Sequence, residues 1–247
     1  MWIPKWLGEI YAKLYVQFNL ELFTFQQARK ALSIDERRLL VAFSKLHAKR
    51  VLTVFKRSSP RLYRLIDPEC FILIASETIK NLDRIPQERY LNLICKCFKE
   101  VYKTFKLESF AIYGSVARGA ARENSDVDIL LISNSFQGTI ASRIDELCKL
   151  EVAFRDELNW LSDHGVNTRL SYLPLRKEEA EKTPLLFLDL TEDAILLFDR
   201  NSFLESLLLK FKAKLVEKGA KRVFIDGEKW YWDLKPDYKF GDIVEIN

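Results

Sequence analysis

Residues 110–132 read FAIYGSVARGAARENSDVDILLI, and this stretch decides the fold. Its two apolar runs predict strands at 109–113 and 126–132, with a short helix between them. A glycine at the end of a strand lets the backbone turn sharply and approach a ligand. A serine that opens a helix presents its hydroxyl and its amide to a phosphate. Gly114 and Ser115 therefore predict a phosphate-binding turn.

Two carboxylates stand two residues apart at the start of the second predicted strand. Because side chains alternate along a strand, Asp126 and Asp128 project from the same face, where they repel each other unless a cation lies between them. Mg²⁺ typically takes one or two protein carboxylates and completes its shell with water and substrate phosphates. The pair therefore predicts a nucleoside triphosphate (NTP) held with Mg²⁺ or Mn²⁺. Either feature alone is more often a plain turn or a solvated strand end, and their conjunction favours the nucleotide site.

The same stretch resembles the signature of the DNA polymerase beta-like nucleotidyltransferase superfamily. In that signature a strand, Gly-Ser, a short helix with a glycine, and Ser-Asp-x-Asp follow one another, and Gly119 and Ser125 belong to the match. The resemblance implies an α/β (α+β) nucleotidyltransferase fold with a mixed sheet. It also implies transfer of a nucleoside monophosphate from an NTP to RNA, a protein or a small molecule, with Mg-dependent release of pyrophosphate.

The resemblance also implies roles for individual residues. Gly114, Ser115 and Ser125 are expected to bind the nucleotide. Asp126 and Asp128 are expected to be the catalytic residues and the metal ligands. The ions that they bind would align the α-phosphorus and offset the charge of the leaving group.

One carboxylate that the resemblance implies is missing from the sequence. The superfamily usually places a third acid on a later strand, where it helps to activate the acceptor hydroxyl. We predict that strand at 166–173, after a long helix at 139–161. The polar residues of that strand are Asn167, Thr168, Arg169 and Ser171. Either another acid substitutes, with Asp163 and Asp189 as weak candidates, or the site binds nucleotide without efficient transfer.

Residues 1–78 predict a module of their own. Residues 1–67 hold 13 Lys and Arg against 5 Asp and Glu, a balance of +8, whereas the rest of the chain holds 26 against 30. Capping boxes that begin at Thr24 and Ser33 predict two helices. Their buried residues are predicted to be Phe25, Ala28 and Leu32, then Leu39, Leu40, Phe43 and Leu46. Apolar runs at 51–55 and 62–66 around a basic turn predict a β-hairpin.

This order of two helices and a basic hairpin resembles a winged helix-turn-helix domain. Its predicted nucleic-acid contacts are Arg37, Arg38, Lys45 and Lys49 on the second helix, and Arg57 and Arg61 on the hairpin. The alternative is a solvated face on a module that serves dimerisation or protein docking. Winged helices that read DNA commonly do so as dimers, so we expect a homodimer.

The rest of the chain divides into a nucleotidyltransferase domain at 79–200 and an extension at 201–247. An amphipathic helix is predicted from Pro86 to Phe105. In the extension we predict a helix at 203–215 and a hairpin at 222–232. Residues 183–247 resemble the helical and hairpin extension of archaeal nucleotidyltransferase-domain proteins. Trp230, Tyr231 and Trp232 are expected to pack this extension onto the core, with stacking on a base as the alternative.

The composition argues against several classes of protein. The four cysteines lack C-x-x-C spacing and the chain has two histidines, which disfavours a zinc site and histidine-based catalysis. No stretch approaches the roughly 20 apolar residues of a membrane span, and no leader is recognised. We therefore expect a cytoplasmic protein without a membrane partner.

Three functions are consistent with these features. The leading one is a nucleotidyltransferase whose basic module binds substrate or regulates transfer. The alternative is a nucleotide-responsive DNA-binding regulator with a weakly active or inactive transferase domain, which the missing third acid and the basic module motivate. The third is a component of a toxin–antitoxin pair of the minimal nucleotidyltransferase type.

Overall fold

The front part of the chain is helical and ends in a hairpin and a further helix. The computed structural model describes residues 3–227 and 229–236. The front elements are α1 (Lys5–Phe18), α2 (Phe25–Leu32), α3 (Glu36–Ala48), β1 (Leu52–Lys56), β2 (Leu62–Leu65) and α4 (Pro68–Ala75). β1 and β2 pair antiparallel, so the predicted hairpin is confirmed. The assignment of these elements to a winged helix-turn-helix domain stays a prediction.

The remainder of the chain alternates helices and strands. Its elements are α5 (Leu91–Thr104), β3 (Leu107–Tyr113), α6 (Gly114–Arg118), β4 (Val127–Ser133), α7 (Ile140–Leu150), α8 (Arg155–Asp163), β5 (Leu170–Leu175), α9 (Lys177–Glu181), α10 (Phe187–Asp193), β6 (Ile195–Asp199), α11 (Phe203–Glu217), β7 (Lys221–Asp226) and β8 (Lys229–Asp233). Short 3-10 turns at Leu82–Arg84, Glu88–Tyr90, Glu151–Phe154 and Arg200–Ser202 connect some of them. The predicted extension hairpin is confirmed as β7–β8, and residues 228 and 237–247 lie outside the described part of the chain.

A four-stranded sheet in the order β5-β4-β3-β6 lies at the centre of this second part. β3 pairs antiparallel with both β4 and β6, whereas β4 pairs parallel with β5. The mixed sheet predicted from the resemblance is therefore confirmed. Successive side chains of β3 alternate between two apolar clusters: Phe110 and Ile112 join one, and Ala111 joins the other.

The larger apolar cluster is continuous from the front part to the sheet. It includes Leu7 of α1, Leu65 of β2, Phe98 of α5 and Ile129 of β4. The smaller cluster lies on the other face of the sheet, where α10 and α11 contribute side chains such as Phe211. The front part is thus packed onto the sheet, and the division of the chain at residue 78 stays a prediction.

A buried ion pair strengthens this packing. Arg64 of β2 donates both guanidinium amines to the carboxylate of Glu157 on α8. Lys96 of α5 lies 3.3 Å from the same carboxylate, and the indole ring of Trp160 lies 3.4 Å from the Arg64 guanidinium carbon. The charge of Arg64 is therefore balanced where three elements from both parts of the chain meet.

Several local predictions for the front part were wrong or incomplete. The capping box at Thr24 is confirmed, but α3 is capped by Asp35, while Ser33 ends α2 in a left-handed conformation. Leu40 is 51% exposed and does not belong to the core. Helix α1 was not predicted, although its four buried residues follow helical spacing: Leu7, Ile10, Tyr11 and Leu14.

The predicted elements around the sheet also need correction. Pro86 precedes α5, which begins only at Leu91 because the 3-10 turn Glu88–Tyr90 intervenes. The helix predicted at 139–161 is divided into α7, the 3-10 turn Glu151–Phe154 and α8. β5 begins at Leu170 rather than at residue 166. Within residues 3–227 and 229–236, no helix is long and apolar enough to cross a membrane.

Candidate active site

Gly114 lies directly against the carboxylate of Asp128. The antiparallel register of β3 and β4 pairs Tyr113 with Asp128, and the chain then turns into α6 at Gly114 with a φ of +69°. A Cβ atom added to Gly114 would lie 2.1 Å from Oδ2 of Asp128, far inside any contact distance. Only glycine fits here, and the turn predicted to bind phosphate is therefore adjacent to the predicted metal ligand.

Asp126 and Asp128 flank the first residue of β4. Asp128 is half-buried within the strand, whereas Asp126 is exposed and precedes it. Asp126 was predicted as the first strand residue, so the strand begins one residue later. Burial raises the pKa of Asp128 and the charge of Asp126 adds to this rise, against a hydrogen bond from Ser171 and the charge of Arg118. A cation between the two carboxylates would stabilise their charged forms and so oppose the rise in the Asp128 pKa.

The sheet register shows what stands where a third acid was expected. β4 and β5 run parallel, and Asp128 pairs with Ser171. The Ser171 hydroxyl donates a hydrogen bond to Asp128. Neither substitute acid stands in its place on β5, because Asp163 is the exposed last residue of α8 and Asp189 lies in α10.

Ser115 and Ser125 occupy different surroundings. Ser115 is half-buried in α6, and its carbonyl accepts a hydrogen bond from the amide of Ala120. The Ser125 hydroxyl accepts a hydrogen bond of 2.8 Å from the amide of Arg122, and its carbonyl accepts one of 2.8 Å from the Thr168 hydroxyl. These bonds hold the end of the loop between α6 and β4, directly before Asp126 and the first strand residue Val127. A role for either serine in nucleotide binding stays a prediction.

The donor set fits a magnesium ion that is shared with substrate. In the described part of the chain, no group of three or more His, Cys, Asp and Glu side chains could hold a metal ion. Mg²⁺ commonly binds proteins through one or two carboxylates and takes its other ligands from water and substrate phosphates. Asp126 and Asp128 supply that number, and the turn at Gly114 lies against the Asp128 carboxylate.

The extension hairpin is anchored beside α6 by contacts that the sequence did not reveal. Trp230 and Trp232 donate their indole N–H groups to Asp189 at 2.8 and 2.9 Å. The carboxylate of Asp193 accepts from Arg222 at 2.9 Å and from Arg118 at 3.1 Å. Trp232 packs against the smaller apolar cluster as predicted, Trp230 is bonded to α10 through Asp189, and Tyr231 is 50% exposed.

The predicted nucleic-acid contacts are spread over two surfaces. Arg37, Arg38 and Lys45 are exposed on α3, and Lys49 at its end is half-buried. The Arg38 guanidinium carbon and Lys45 Nζ lie 5.9 and 5.7 Å from the ring centroid of Trp6 on α1. Both hairpin arginines are exposed, and Arg57 lines a cavity together with Gly119. Nucleic-acid binding by all six residues stays a prediction: Arg37, Arg38, Lys45, Lys49, Arg57 and Arg61.

Sequence comparison identifies the class of protein. The description "Nucleotidyltransferase domain" belongs to the family that matches residues 94–240, which is more than half of the 247 residues. The chain belongs to this family, and it is a transferase, as the signature around Gly114 and Asp128 predicts.

Individual relatives share part of the chain. A protein of Methanocaldococcus jannaschii, named "Putative protein adenylyltransferase MJ1305", is 28% identical over 139 residues, which cover 56% of this chain and 84% of that protein. Among solved structures, a toxin-antitoxin with AMP-PNP is 18% identical, covers 51% of this chain and 92% of its own, and has a TM-score of 0.33. A mutant of the toxin-antitoxin MntA-HpeT is 17% identical, covers 50% and 89%, and has the same TM-score of 0.33.

Proposed function

We propose that this protein binds an NTP with Mg²⁺ at Gly114, Ser115 and Ser125 and transfers its nucleoside monophosphate to an acceptor. Asp126 and Asp128 are the proposed catalytic residues and metal ligands. The observation that supports the proposal most directly is the contact between Gly114 and Asp128, because it joins the phosphate-binding turn to the carboxylate pair. A phosphate on that turn would share its metal with both carboxylates.

In the proposed reaction an acceptor oxygen attacks the α-phosphorus of the NTP. A bond forms between that oxygen and phosphorus, while the bond from phosphorus to the oxygen bridging the α- and β-phosphates breaks. Pyrophosphate leaves with the bonding electrons, and the acceptor's proton passes to water. Magnesium held by Asp126 and Asp128 would neutralise the negative charge of the pyrophosphate. Gly114, which lacks a side chain, lets the Asp128 carboxylate lie directly against the turn that would hold the phosphates.

The name of the Methanocaldococcus jannaschii relative supports ATP as the nucleotide donor. That name also includes a protein acceptor. Protein is therefore one of three acceptor classes that we propose to compare, with RNA and small molecules as the others.

Transfer of label from nucleotide to acceptor tests the proposal. The protein is incubated with Mg²⁺, each NTP labelled at the α-phosphate, and RNA, protein or metabolite fractions. We expect labelled product with the wild type and a loss of at least about 100-fold in Asp126→Asn and in Asp128→Asn. Asp145→Asn, an exposed change on α7, is the matched control and should keep full transfer. No transfer together with no NTP binding would overturn the proposal.

A regulator is the second candidate. Ser171 beside Asp128, where an acid was expected, and exposed basic residues on α3 favour a site that binds nucleotide without efficient turnover. If the protein is such a regulator, we expect it to bind duplex DNA in a salt-sensitive way and to transfer no label. This binding should weaken in Arg38→Ala or Lys49→Ala. Label transfer that depends on Asp126 would exclude it. A homodimer and a cytoplasmic location are further predictions of both versions.

A further inference from the structure

A groove leads from the hairpin β1–β2 to the loop between α6 and β4. It consists of two adjoining cavities, of about 380 and 650 Å³, that share Gln87 and Arg89. The first lies between Arg57 of the hairpin and Gly119 at the end of α6. The second follows the loop to Ser125, the residue before Asp126. The groove therefore runs from the front part of the chain to the residue that precedes the carboxylate pair.

Hydrogen bonds and close packing fix the wall of this groove. Gln87 donates to the carbonyl of Ala121 at 2.8 Å and accepts from the amide of Ala121 at 3.1 Å. Arg89 donates to the same carbonyl at 3.1 Å. Pro86 is so close to Gly119 that an added Cβ would lie 2.9 Å from the proline Cβ. The groove is thus a defined part of the fold.

Three arginines and two glutamates line the groove, and of the two glutamates Glu123 is exposed while Glu88 is buried and already hydrogen-bonded. Glu88 accepts hydrogen bonds from Arg50 at 2.7 Å, from the amide of Val54 at 2.7 Å and from His47 Nε2 at 2.8 Å. By contrast, no ion pair or hydrogen bond holds the Arg57 side chain within residues 3–227 and 229–236. Arg57 is left to meet an anionic ligand, and Arg89 bonds neutral groups, the Ala121 carbonyl and the Tyr90 hydroxyl, so no carboxylate balances its charge in the described part of the chain.

We propose that this groove binds an unpaired nucleic-acid strand. Sites for single strands combine a basic groove that follows the phosphates with aromatic side chains on which bases stack. Arg57 and Arg89 provide the charge, and Phe55 lines the same cavity as an aromatic surface. A cavity of about 380 Å³ admits one nucleotide unit and not a base-paired duplex. An acidic peptide would use the arginines but leave the aromatic wall without a stacking partner.

The position of the groove gives the strand a place in the reaction. A strand that follows it ends beside Asp126, so its terminal hydroxyl would be the acceptor, a step that rests on the proposed function. Because the family match starts at residue 94, Phe55, Arg57 and Arg89 lie outside it. The groove is a feature that the matched stretch alone does not form.

Binding of short oligonucleotides tests the groove. Fluorescence anisotropy is measured with labelled oligouridine RNA and oligothymidine DNA, each 12 nucleotides long, without NTP and at several salt concentrations. We expect Arg57→Glu to weaken binding by about tenfold or more and to lower the salt slope by about 0.7. Lys30→Glu, an equal change of charge at an exposed position of α2, is the matched control and should bind as the wild type does. Arg89→Gln changes a second arginine of the groove, and its oligonucleotide binding is measured in the same way.

The outcomes separate the groove from other surfaces and from catalysis. Equal weakening in Lys30→Glu, or loss in Arg38→Glu with none in Arg57→Glu, would overturn the groove as the binding site. Binding of polyglutamate that depends on Arg57, without binding of either oligonucleotide, would also overturn it. If the RNA binds as expected but labelled ATP does not extend it, the groove is supported and the proposed transfer is contradicted.

Discussion

Gly114 and Asp128 touch so closely that a single methyl group would change the proposed nucleotide site. Gly114→Ala would place a Cβ 2.1 Å from the Asp128 carboxylate, at a backbone φ of +69° that disfavours side chains. Because the carboxylate must move, we expect the affinity for Mg-ATP to fall by about 10- to 100-fold in isothermal titration calorimetry.

Gly165→Ala is the matched control for this substitution. Gly165 has a similar φ of +82°, but nothing lies within 4 Å of an added Cβ, so it carries the backbone strain alone. An equal loss of affinity in both variants would show that the contact with Asp128 is irrelevant to binding.

Asp128 lowers the stability of the folded protein when no cation is bound. Burial and Asp126 raise its pKa, so the folded state keeps the proton to a higher pH than the unfolded chain does. Stability is therefore lost as pH rises from the unfolded to the folded pKa, and the loss is complete above the folded pKa. We expect Asp128→Asn to melt at a higher temperature than the wild type at neutral pH, with the difference vanishing in acid.

Differential scanning fluorimetry from acid to neutral pH measures this effect. Asp145→Asn, at an exposed position of α7, should show no such pH-dependent gain. A lower melting temperature of Asp128→Asn at neutral pH would contradict the sign of the argument.

Ser171 offers a way to restore the third acid. It pairs with Asp128 across the parallel strands, so Ser171→Asp would place a carboxylate beside the pair. If activation of the acceptor limits transfer, we expect a rate increase of about tenfold or more in the label-transfer assay. Ser171→Asn has nearly the same size without the charge and should give no increase. A slower Ser171→Asp enzyme would indicate that the third acid is not what limits the reaction.

The residues of the site differ in how far sequence could predict them. Gly114, Asp126 and Asp128 lie within one local pattern, and the geometry of a strand and a turn relates them directly. The neighbour of Asp128 on β5 depends on the register between segments that are 43 residues apart, which no local periodicity records. Sequence therefore showed that an acid was missing but not that Ser171 would donate a hydrogen bond in that position.

At the scale of elements, sequence predicted the pieces that have periodic apolar patterns or clear turns. The hairpin β1–β2, the strands β3 and β4 and the hairpin β7–β8 follow such patterns. The ends of helices were less predictable, because Ser33 and Asp35 can both serve as caps, and in the structure it is Asp35 that accepts from the Arg38 amide. The anchoring of Gln87 on Ala121 spans 34 residues and has no local signal.

Gly119 tests whether the end of α6 sets the shape of the groove. Gly119→Ala would place a Cβ 2.9 Å from Pro86, so the segment at 86–89 must shift. We expect weaker binding of the oligonucleotides used above and a loss of stability of about 1 kcal/mol or more in urea unfolding. Gly219→Ala has the same left-handed backbone after a helix, at φ +71°, but its Cβ would meet Pro236 only at 3.9 Å. If Gly219→Ala weakens binding equally, the contact with Pro86 does not shape the groove.

At the scale of the whole molecule, the front part and the sheet share one core, and Glu157 lies at their junction. Glu157→Gln would leave the buried Arg64 guanidinium without its counter-charge. We expect a loss of about 3–5 kcal/mol in the free energy of unfolding, because breaking a buried ion pair leaves the remaining charge buried and unpaired. Glu192→Gln in the exposed pair with Lys212 should cost about 1 kcal/mol or less.

Urea unfolding followed by fluorescence and circular dichroism measures both variants. The continuous core predicts one cooperative transition, because the front part and the sheet unfold together. Two separated transitions in the wild type would contradict this prediction and favour independent domains.

The bonds to Glu88 have a consequence for the polarity of the groove. Its carboxylate lines the wall near Arg57, and all three of its hydrogen-bond donors described above, His47, Arg50 and Val54, come from the front part. Without these donors the Glu88 carboxylate would face the groove as an unbalanced negative charge. The charge of the proposed binding groove therefore depends on residues outside the matched stretch 94–240.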